Sequence, residues 1–314
     1  MILREFPDLI WLKKQATTGF ENQQAVHKKP LAQKGWPTVI LNTQTTTAYR
    51  PNIRGPLSIF MNRTGLSRCA INHHTVCIPQ QHFFLSNQYE QYTLEMESET
   101  PVESFNIHFG EQFAEQLFTS LVTPADLLLE EHCTSSPDRL ITFPSKLYPM
   151  DEVFQQLTMQ LYTQHQHEFE PLLFEEQISQ LLSYLLFLHR VEIKKALQLP
   201  AMKKSTRVEL YKRLNRVTDF IRTHYTESIG LEELARISCL SKHHFLRLFK
   251  IAFGRTPHQF IIQLRIATAC KLLKTETLSI QEIAYALGFE YANSFSRLFK
   301  KKIGIYPNAY RDAL

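Results

Sequence analysis

The 314-residue sequence has no uninterrupted apolar run of 18 residues, so no helix able to cross a bilayer is expected. It also lacks an N-terminal charged stretch followed by an apolar core and small residues, so no secretion signal is expected and the chain reads as cytoplasmic. Its five cysteines (Cys69, Cys77, Cys133, Cys239 and Cys270) form no C-x-x-C pair. An odd number of scattered thiols fits a reducing compartment better than a disulfide framework. There is no glycine-rich phosphate loop, no pair of carboxylates and no nucleophile in a recognisable frame, so no catalytic residue and no cofactor are expected. A strand-borne metal site would need His-x-His, because successive side chains point to opposite faces. His73 and His74 are adjacent instead, and with His82 and His108 they read as solvent-facing or hydrogen-bonded side chains rather than metal ligands.

What is present is a pattern that occurs twice near the C-terminus. Leu234-Ala235 recurs as Ile283-Ala284 at an offset of 49, and Arg247-Leu248-Phe249-Lys250 recurs as Arg297-Leu298-Phe299-Lys300 at an offset of 50. Each unit, at about 231–252 and 280–302, reads as two short helices joined by a tight turn, the helix-turn-helix plan. In the first, Leu231, Leu234, Ala235 and Ile237 share a stripe, and Ser241 stands where an N-cap is needed. The helix that follows would bury Phe245, Leu248, Phe249 and Ala252 and show Lys242, His243, Leu246, Arg247 and Lys250. In the second unit Ser279 and Glu282 have capping-box spacing. Phe295, Leu298 and Phe299 form its buried stripe, while Tyr291, Ala292, Asn293, Ser294, Arg297 and Lys300 share the remaining surface. The plainer alternative is a pair of amphipathic hairpins in a packing-only bundle, with the basic residues as a solvated face.

Charge favours the first reading. From Lys203 to the end there are 20 lysines and arginines against 9 acidic residues, a net of +11. The whole chain carries only +5, which leaves −6 for residues 1–202. An acidic front and a basic back is the asymmetry expected when one domain meets a polyanion.

The segment from Leu214 to Ala313 resembles the DNA-binding domain of the AraC/XylS family of bacterial transcription regulators. The resemblance covers both units, the segment Pro257–Leu273 that joins them, and the closing Ile280–Phe289 and Phe295–Lys300 stretches. It implies a sequence-specific regulator of transcription with double-stranded DNA and RNA polymerase as partners. Thr256 and Pro257 read as N-cap and first-turn proline of the joining helix. Its ~17 residues would span roughly 25 Å, which suits two recognition helices about one turn of DNA, ~34 Å, apart. The family's base-facing positions fall on His243, Leu246 and Arg247 in the first unit and on Ala292, Asn293, Ser294 and Arg297 in the second. Arginine and asparagine match guanine and adenine edges, whereas Lys250 and Lys300 lie further along and suit phosphate or solvent. Two departures stand out. Cys239 occupies the turn position that holds Gly288 in the other unit, where a left-handed backbone would cost ~1 kcal/mol for a residue with a Cβ. Ala292 offers only apolar contact, so sequence readout is expected to lean on the first unit.

Upstream, the pattern between Trp36 and Gly110 alternates. Short strands are expected at Thr38–Leu41, Leu57–Met61, Arg68–Ile71, Thr75–Ile78, His82–Leu85, Tyr92–Met96 and Val102–Phe109, with turns at Pro51-Asn52, Asn62, Pro79 and Asn87. This suggests an antiparallel sandwich or small barrel, and the resemblance implies a cupin-like barrel that binds a small-molecule effector. Phe83, Phe84, Tyr89 and Tyr92 would line its pocket or form its core. From Asp151 to Leu199 the chain turns helical, with Ile178, Leu181, Leu182, Leu185 and Leu186 on one stripe. That stripe would pack on the barrel or, as in the family, pair two subunits into a homodimer. The expected fold is therefore multidomain α+β: a cupin-like sensory β-domain at 1–150, a helical region at 151–200 and, past a linker at Pro200–Ser205, an all-α double helix-turn-helix at 201–314. The rival functions are a cupin-type metal-dependent enzyme or a DNA-repair alkyl transferase carrying a DNA-targeting domain.

Overall fold

The computed structural model describes residues 2–9, 36–71, 74–122, 141–164, 170–275 and 278–313. The chain divides into two compact units, Met1–Glu192 and Ile193–Leu314. His73 and Cys133 lie outside the described residues.

The first unit is built on one eight-stranded sheet. Its strands are β1 (Ile2–Leu3), β2 (Val39–Arg54), β3 (Ser58–Met61), β4 (Ser67–Ile71), β5 (His74–Ile78), β6 (His82–Ser86), β7 (Gln91–His108) and β8 (Leu147–Pro149). They run in the order β1-β2-β7-β3-β6-β8, with β4 joining β7 to β5. Every pairing is antiparallel except that of β1 with β2. Two expected strands prove to be one: 92–96 and 102–109 merge into β7, whose first half pairs with β4 and whose end pairs with β3. The turn signal at Pro51-Asn52 lies inside β2. There the register against β7 shifts between Arg50 and Ile53, and Asn52 takes a φ of 53°. A proline and a left-handed asparagine make a bulge here rather than a chain reversal.

Strand alternation distributes the side chains between two cores. Ile40, Ile59, Met61, Phe83, Leu85, Phe105 and Ile107 face a core completed by helices. Val39, Leu41, Phe60, Phe84, Tyr92 and Leu94 face the other, with Cys69, Ile71, Val76 and Ile78 of the β4–β5 hairpin. The helices are α1 (Glu111–Val122), α2 (Glu152–Gln164) and α3 (Pro171–Leu197). The stripe Ile178, Leu181, Leu182, Leu185 and Leu186 is buried in the core that the helices share with the sheet. Intramolecular packing therefore uses the residues that were the alternative for subunit pairing. The helical region 151–200 is accordingly not separate: α2 and most of α3 belong with the sheet, and the division between units falls ahead of Pro200–Ser205. Ala196 and Leu199 are already buried in the core of the second unit.

The second unit is all helix: α4 (Lys204–His224), α5 (Leu231–Ile237), α6 (Lys242–Phe253), α7 (Pro257–Thr275), α8 (Ile280–Ala286), α9 (Ala292–Ile303) and α10 (Pro307–Asp312). It has two cores. Tyr211, Leu214, Val217 and Ile221 of α4 pack with Leu234, Phe245, Leu248 and Phe249 of the first hairpin. Ile283, Ala284, Phe295 and Phe299 of the second hairpin pack on Ile262, Ile266, Ala269 and Leu273 of α7. The spacing 262, 266, 269, 273 keeps one face of α7 toward the second core, while Ile261 turns to the first. Each fully buried phenylalanine contributes about 1.5–3 kcal/mol, so each small core is anchored by its pair: Phe245 with Phe249, and Phe295 with Phe299.

Candidate nucleic-acid interface

Each hairpin is closed by the same set of backbone hydrogen bonds. In the first, Ser238 N donates to Leu234 O at 3.2 Å, Cys239 N to Arg236 O at 3.0 Å and Leu240 N to Ala235 O at 3.1 Å. In the second, Leu287 N donates to Ile283 O at 3.1 Å, Gly288 N to Tyr285 O at 2.9 Å and Phe289 N to Ala284 O at 3.0 Å. The central residue is left-handed in both, with φ of 52° at Cys239 and 75° at Gly288. The helix starts differ. Ser279 and Glu282 form the reciprocal capping box at α8, and those hydrogen bonds hold the Glu282 carboxyl below its ordinary range. At α5 the N-cap is Gly230 and makes no side-chain bond. Ser241 does occupy the N-cap position of α6, yet its side chain caps nothing.

The second helix of each hairpin presents the residues the sequence singled out. On α6, Lys242, His243, Arg247 and Lys250 are exposed and Leu246 is half-buried. On or beside α9, Tyr291, Asn293, Ser294, Arg297 and Lys300 are exposed. Ala292 is half-buried against the second core, so it supports the helix more than it projects from it. Neither helix carries an acidic residue in its first turn. Lys242 is engaged with Glu232 of α5, and that hydrogen bond holds the Glu232 carboxyl below its ordinary range. At the matching places of the second hairpin stand Gln281 and Ala292, so no such pair forms there. Both helices end on left-handed glycines, Gly254 at φ 69° and Gly304 at φ 96°. Prolines then open the following helices, α7 at Pro257 and α10 at Pro307. At α7, Thr256 and Gln259 cap one another through backbone N–H groups at 3.3 and 3.0 Å. Its 19 residues span about 28 Å.

One functional side chain was not singled out in the sequence. Arg265, midway along α7, donates to Tyr225 O at 2.6 Å, Gly288 O at 2.8 Å and Glu227 O at 2.9 Å. Its guanidinium also lies over the Phe289 ring, 5.3 Å from the centroid. It ties the segment leaving α4 to the turn of the second hairpin, and so sets one half against the other. Nothing local in the sequence marks it, since an arginine in a helix normally reads as solvated. Lys301 and Lys302 add further exposed charge to the last turn of α9.

Residues 234–313 match the profile of a helix-turn-helix domain. They are an AraC-type DNA-binding domain. Over 92 residues the chain is 40% identical to the MmsAB operon regulatory protein of Pseudomonas aeruginosa, covering 29% of this chain and 30% of that one. It is 27% identical over 169 residues to the probable transcriptional regulator LumQ of Photobacterium leiognathi, covering 54% and 64%. It is 38% identical over 95 residues to the bifunctional transcriptional activator/DNA repair enzyme AdaA of Bacillus subtilis, covering 30% and 45%. The chain thus spans less than two thirds of each of these relatives. Among solved structures, the DNA-binding domain of AdpA in complex with a target DNA is 32% identical, covering 32% of this chain and 91% of that one with a TM-score of 0.31.

The first unit offers less. Of the four aromatics considered for a pocket, Phe83 stacks on Phe154 in the helix-side core, Phe84 is buried in the other core, and Tyr89 is exposed. Tyr92 borders a small void, together with Trp36, Phe60, Asn106 and His108. Among the described residues no group of three or more histidine, cysteine or acidic side chains gathers as a metal site. No helix of the described residues is long and apolar enough to cross a membrane.

Proposed function

We propose that the chain is a sequence-specific, DNA-binding regulator of transcription that grips two adjacent major-groove segments with α6 and α9. The observation that carries this reading is the repeated hairpin: two helices held by one hydrogen-bonding frame, each with an exposed face free of acid, in a segment of net charge +11. In this reading His243, Leu246 and Arg247 meet base edges from α6, and Asn293, Ser294 and Arg297 do so from α9. Lys250, Lys300, Tyr291 and, once released from Glu232, Lys242 meet backbone phosphate. Ala292 packs behind them. RNA polymerase is the protein partner, and the first unit receives a small-molecule effector. The compartment is the cytoplasm. The chain acts without a catalytic step, in keeping with relatives named as transcription regulators; AdaA is named as a repair enzyme as well, but its match covers only 30% of this chain. Pairing of two chains through 151–199 would rest on the apolar residues the sheet leaves uncovered, Leu172 and Phe187 foremost.

Footprinting of the full-length protein on DNA flanking its own gene tests the reading. Protection of two segments about one helical turn apart is expected, with loss of protection in Arg247→Ala. No preference for that DNA over random sequence would overturn it.

A further inference from the structure

Lys242 opens α6, the second helix of the first hairpin, and a carboxylate from the hairpin's other helix holds it. Its Nζ donates to Oε1 of Glu232, which lies in the first turn of α5, ten residues earlier in the chain. That hydrogen bond keeps the Glu232 carboxyl below its ordinary range, so the acid is fully charged at neutral pH. Of the cations on the faces of α6 and α9, Lys242 is the one in an ion pair among the described residues. The second hairpin has Gln281 and Ala292 at the matching places, so its recognition face carries no such restraint.

The pair is open to solvent, the two side chains being 52% and 69% exposed, so water and salt screen it and it breaks at small cost. What it changes is the number of cations free for DNA. Binding without regard to sequence is carried by lysines and arginines that displace counterions from phosphate. A lysine that already has a carboxylate gains little by moving to a phosphate, since one anion replaces another. Base contacts alter that balance. With His243, Leu246 and Arg247 seated in the groove, the strand is held against the start of α6 and the exchange goes forward. On random DNA nothing holds the strand there, and Lys242 stays with Glu232.

We propose that Glu232 is a specificity-determining residue, which withholds Lys242 from phosphate on random DNA and yields it only on the operator. It reads no base itself. It raises discrimination by weakening the wrong complexes rather than by strengthening the right one. The inference deepens the reading of α6 as a recognition helix, and rests on it.

The test is Glu232→Gln in the full-length chain, with binding followed by fluorescence anisotropy from about 0.05 to 0.3 M salt. Two duplexes of equal length are used: the segment protected in the footprint, and the same bases scrambled. On the scrambled duplex the variant should show one more phosphate contact. Its log–log salt slope should steepen by about 0.9, worth roughly eightfold in affinity at 0.1 M salt relative to 1 M. On the operator the slope should stay as in wild type, and the gain should be about threefold at most, the effect of no longer breaking an exposed pair. Lys242→Gln alone should leave the scrambled slope unchanged and flatten the operator slope by about 0.9. It provides a second reading should Glu232→Gln fold poorly. In the Lys242→Gln background, Glu232→Gln should alter neither slope. An unchanged slope on the scrambled duplex overturns the proposal. So does a gain that is equal on both duplexes or that persists without Lys242, because Glu232 would then simply repel DNA. These outcomes leave the reading of α6 intact, whereas a wild-type chain with no preference between the duplexes sinks that reading itself.

Discussion

The turn at Cys239 and the turn at Gly288 share one backbone but not one environment. Both have the central residue left-handed, and both close with the same three hydrogen bonds. Cys239 is exposed, so its Cβ meets only the intrinsic cost of the conformation, ~1 kcal/mol. A Cβ at Gly288 would stand 1.9 Å from the Thr226 carbonyl oxygen and 2.7 Å from its carbon. There the turn lies on backbone that Arg265 holds in place through Tyr225, Glu227 and Gly288 itself. A left-handed φ alone therefore does not require glycine; close approach of another backbone does. The first turn was free to acquire a side chain, and the second was not.

The sharpest way to break this comparison is to give the second turn what the first already carries. Gly288→Ala should destabilise the protein by roughly 3–5 kcal/mol, because the obstacle is backbone and not a side-chain end that can swing away. Cys239→Ala should stay within about 0.5 kcal/mol of wild type. Chemical denaturation of both variants checks this, and equal effects would show that the Thr226 contact relaxes at little cost. Next in size is Arg265→Met, which removes three hydrogen bonds to carbonyls and should cost about 2–3 kcal/mol. If Arg265 sets the two hairpins against each other, this variant should also lose more affinity for a two-segment operator than for either segment alone, measured by gel shift.

The two recognition helices are compared directly by Arg247→Ala and Arg297→Ala. Each arginine is exposed, so thermal midpoints should move by a degree or less. Arg247→Ala should weaken operator binding by about 1–3 kcal/mol, roughly ten- to a hundred-fold. The loss from Arg297→Ala should be smaller if the second hairpin contributes mainly backbone contacts. Equal losses would end that asymmetry. The smallest effect is expected from Cys239→Gly. Relief of Cβ strain is partly offset by the freedom glycine gains when unfolded, leaving a stabilisation below about 1 kcal/mol. A clear loss of stability would mean that the exposed thiol contributes packing that outweighs the strain.

Much of the second unit was legible because its signals are local. The Ser279/Glu282 cap, Gly254 and Gly304 past the helix ends, Pro257 and Pro307 opening the next helices, and the paired phenylalanines all act within a turn or two of themselves. Arg265 was illegible because its three partners lie 23 to 40 residues away in sequence. In the first unit alternation located the strands but not their joins. Pro51-Asn52 and Pro101 are turn-formers in isolation, yet β2 and β7 continue through them, with the β2–β7 register shifting at both places. The stripe on α3 was equally consistent with a partner subunit and with the sheet, since an apolar face does not state what it covers. Of the aromatics weighed for a pocket, Phe83 and Phe84 are buried in the cores and Tyr89 is exposed; alternation separates the two faces of a strand but does not mark which residue borders a void.

The β2–β7 ladder, finally, sets a timetable. It pairs Arg54 with Gln91 at one end and Val39 with His108 at the other, a separation of 69 residues (108 − 39). Contacts of such long range are slow to form, because the chain between them must be closed before any bond rewards it. The hairpins of the second unit join helices only a few residues apart and need no comparable closure. On the ribosome β2 emerges early and waits about half a hundred residues for the last of its partner, His108 opposite Val39. The helical unit can be complete soon after it is made, whereas the unit built on the sheet matures on the schedule of its longest strand.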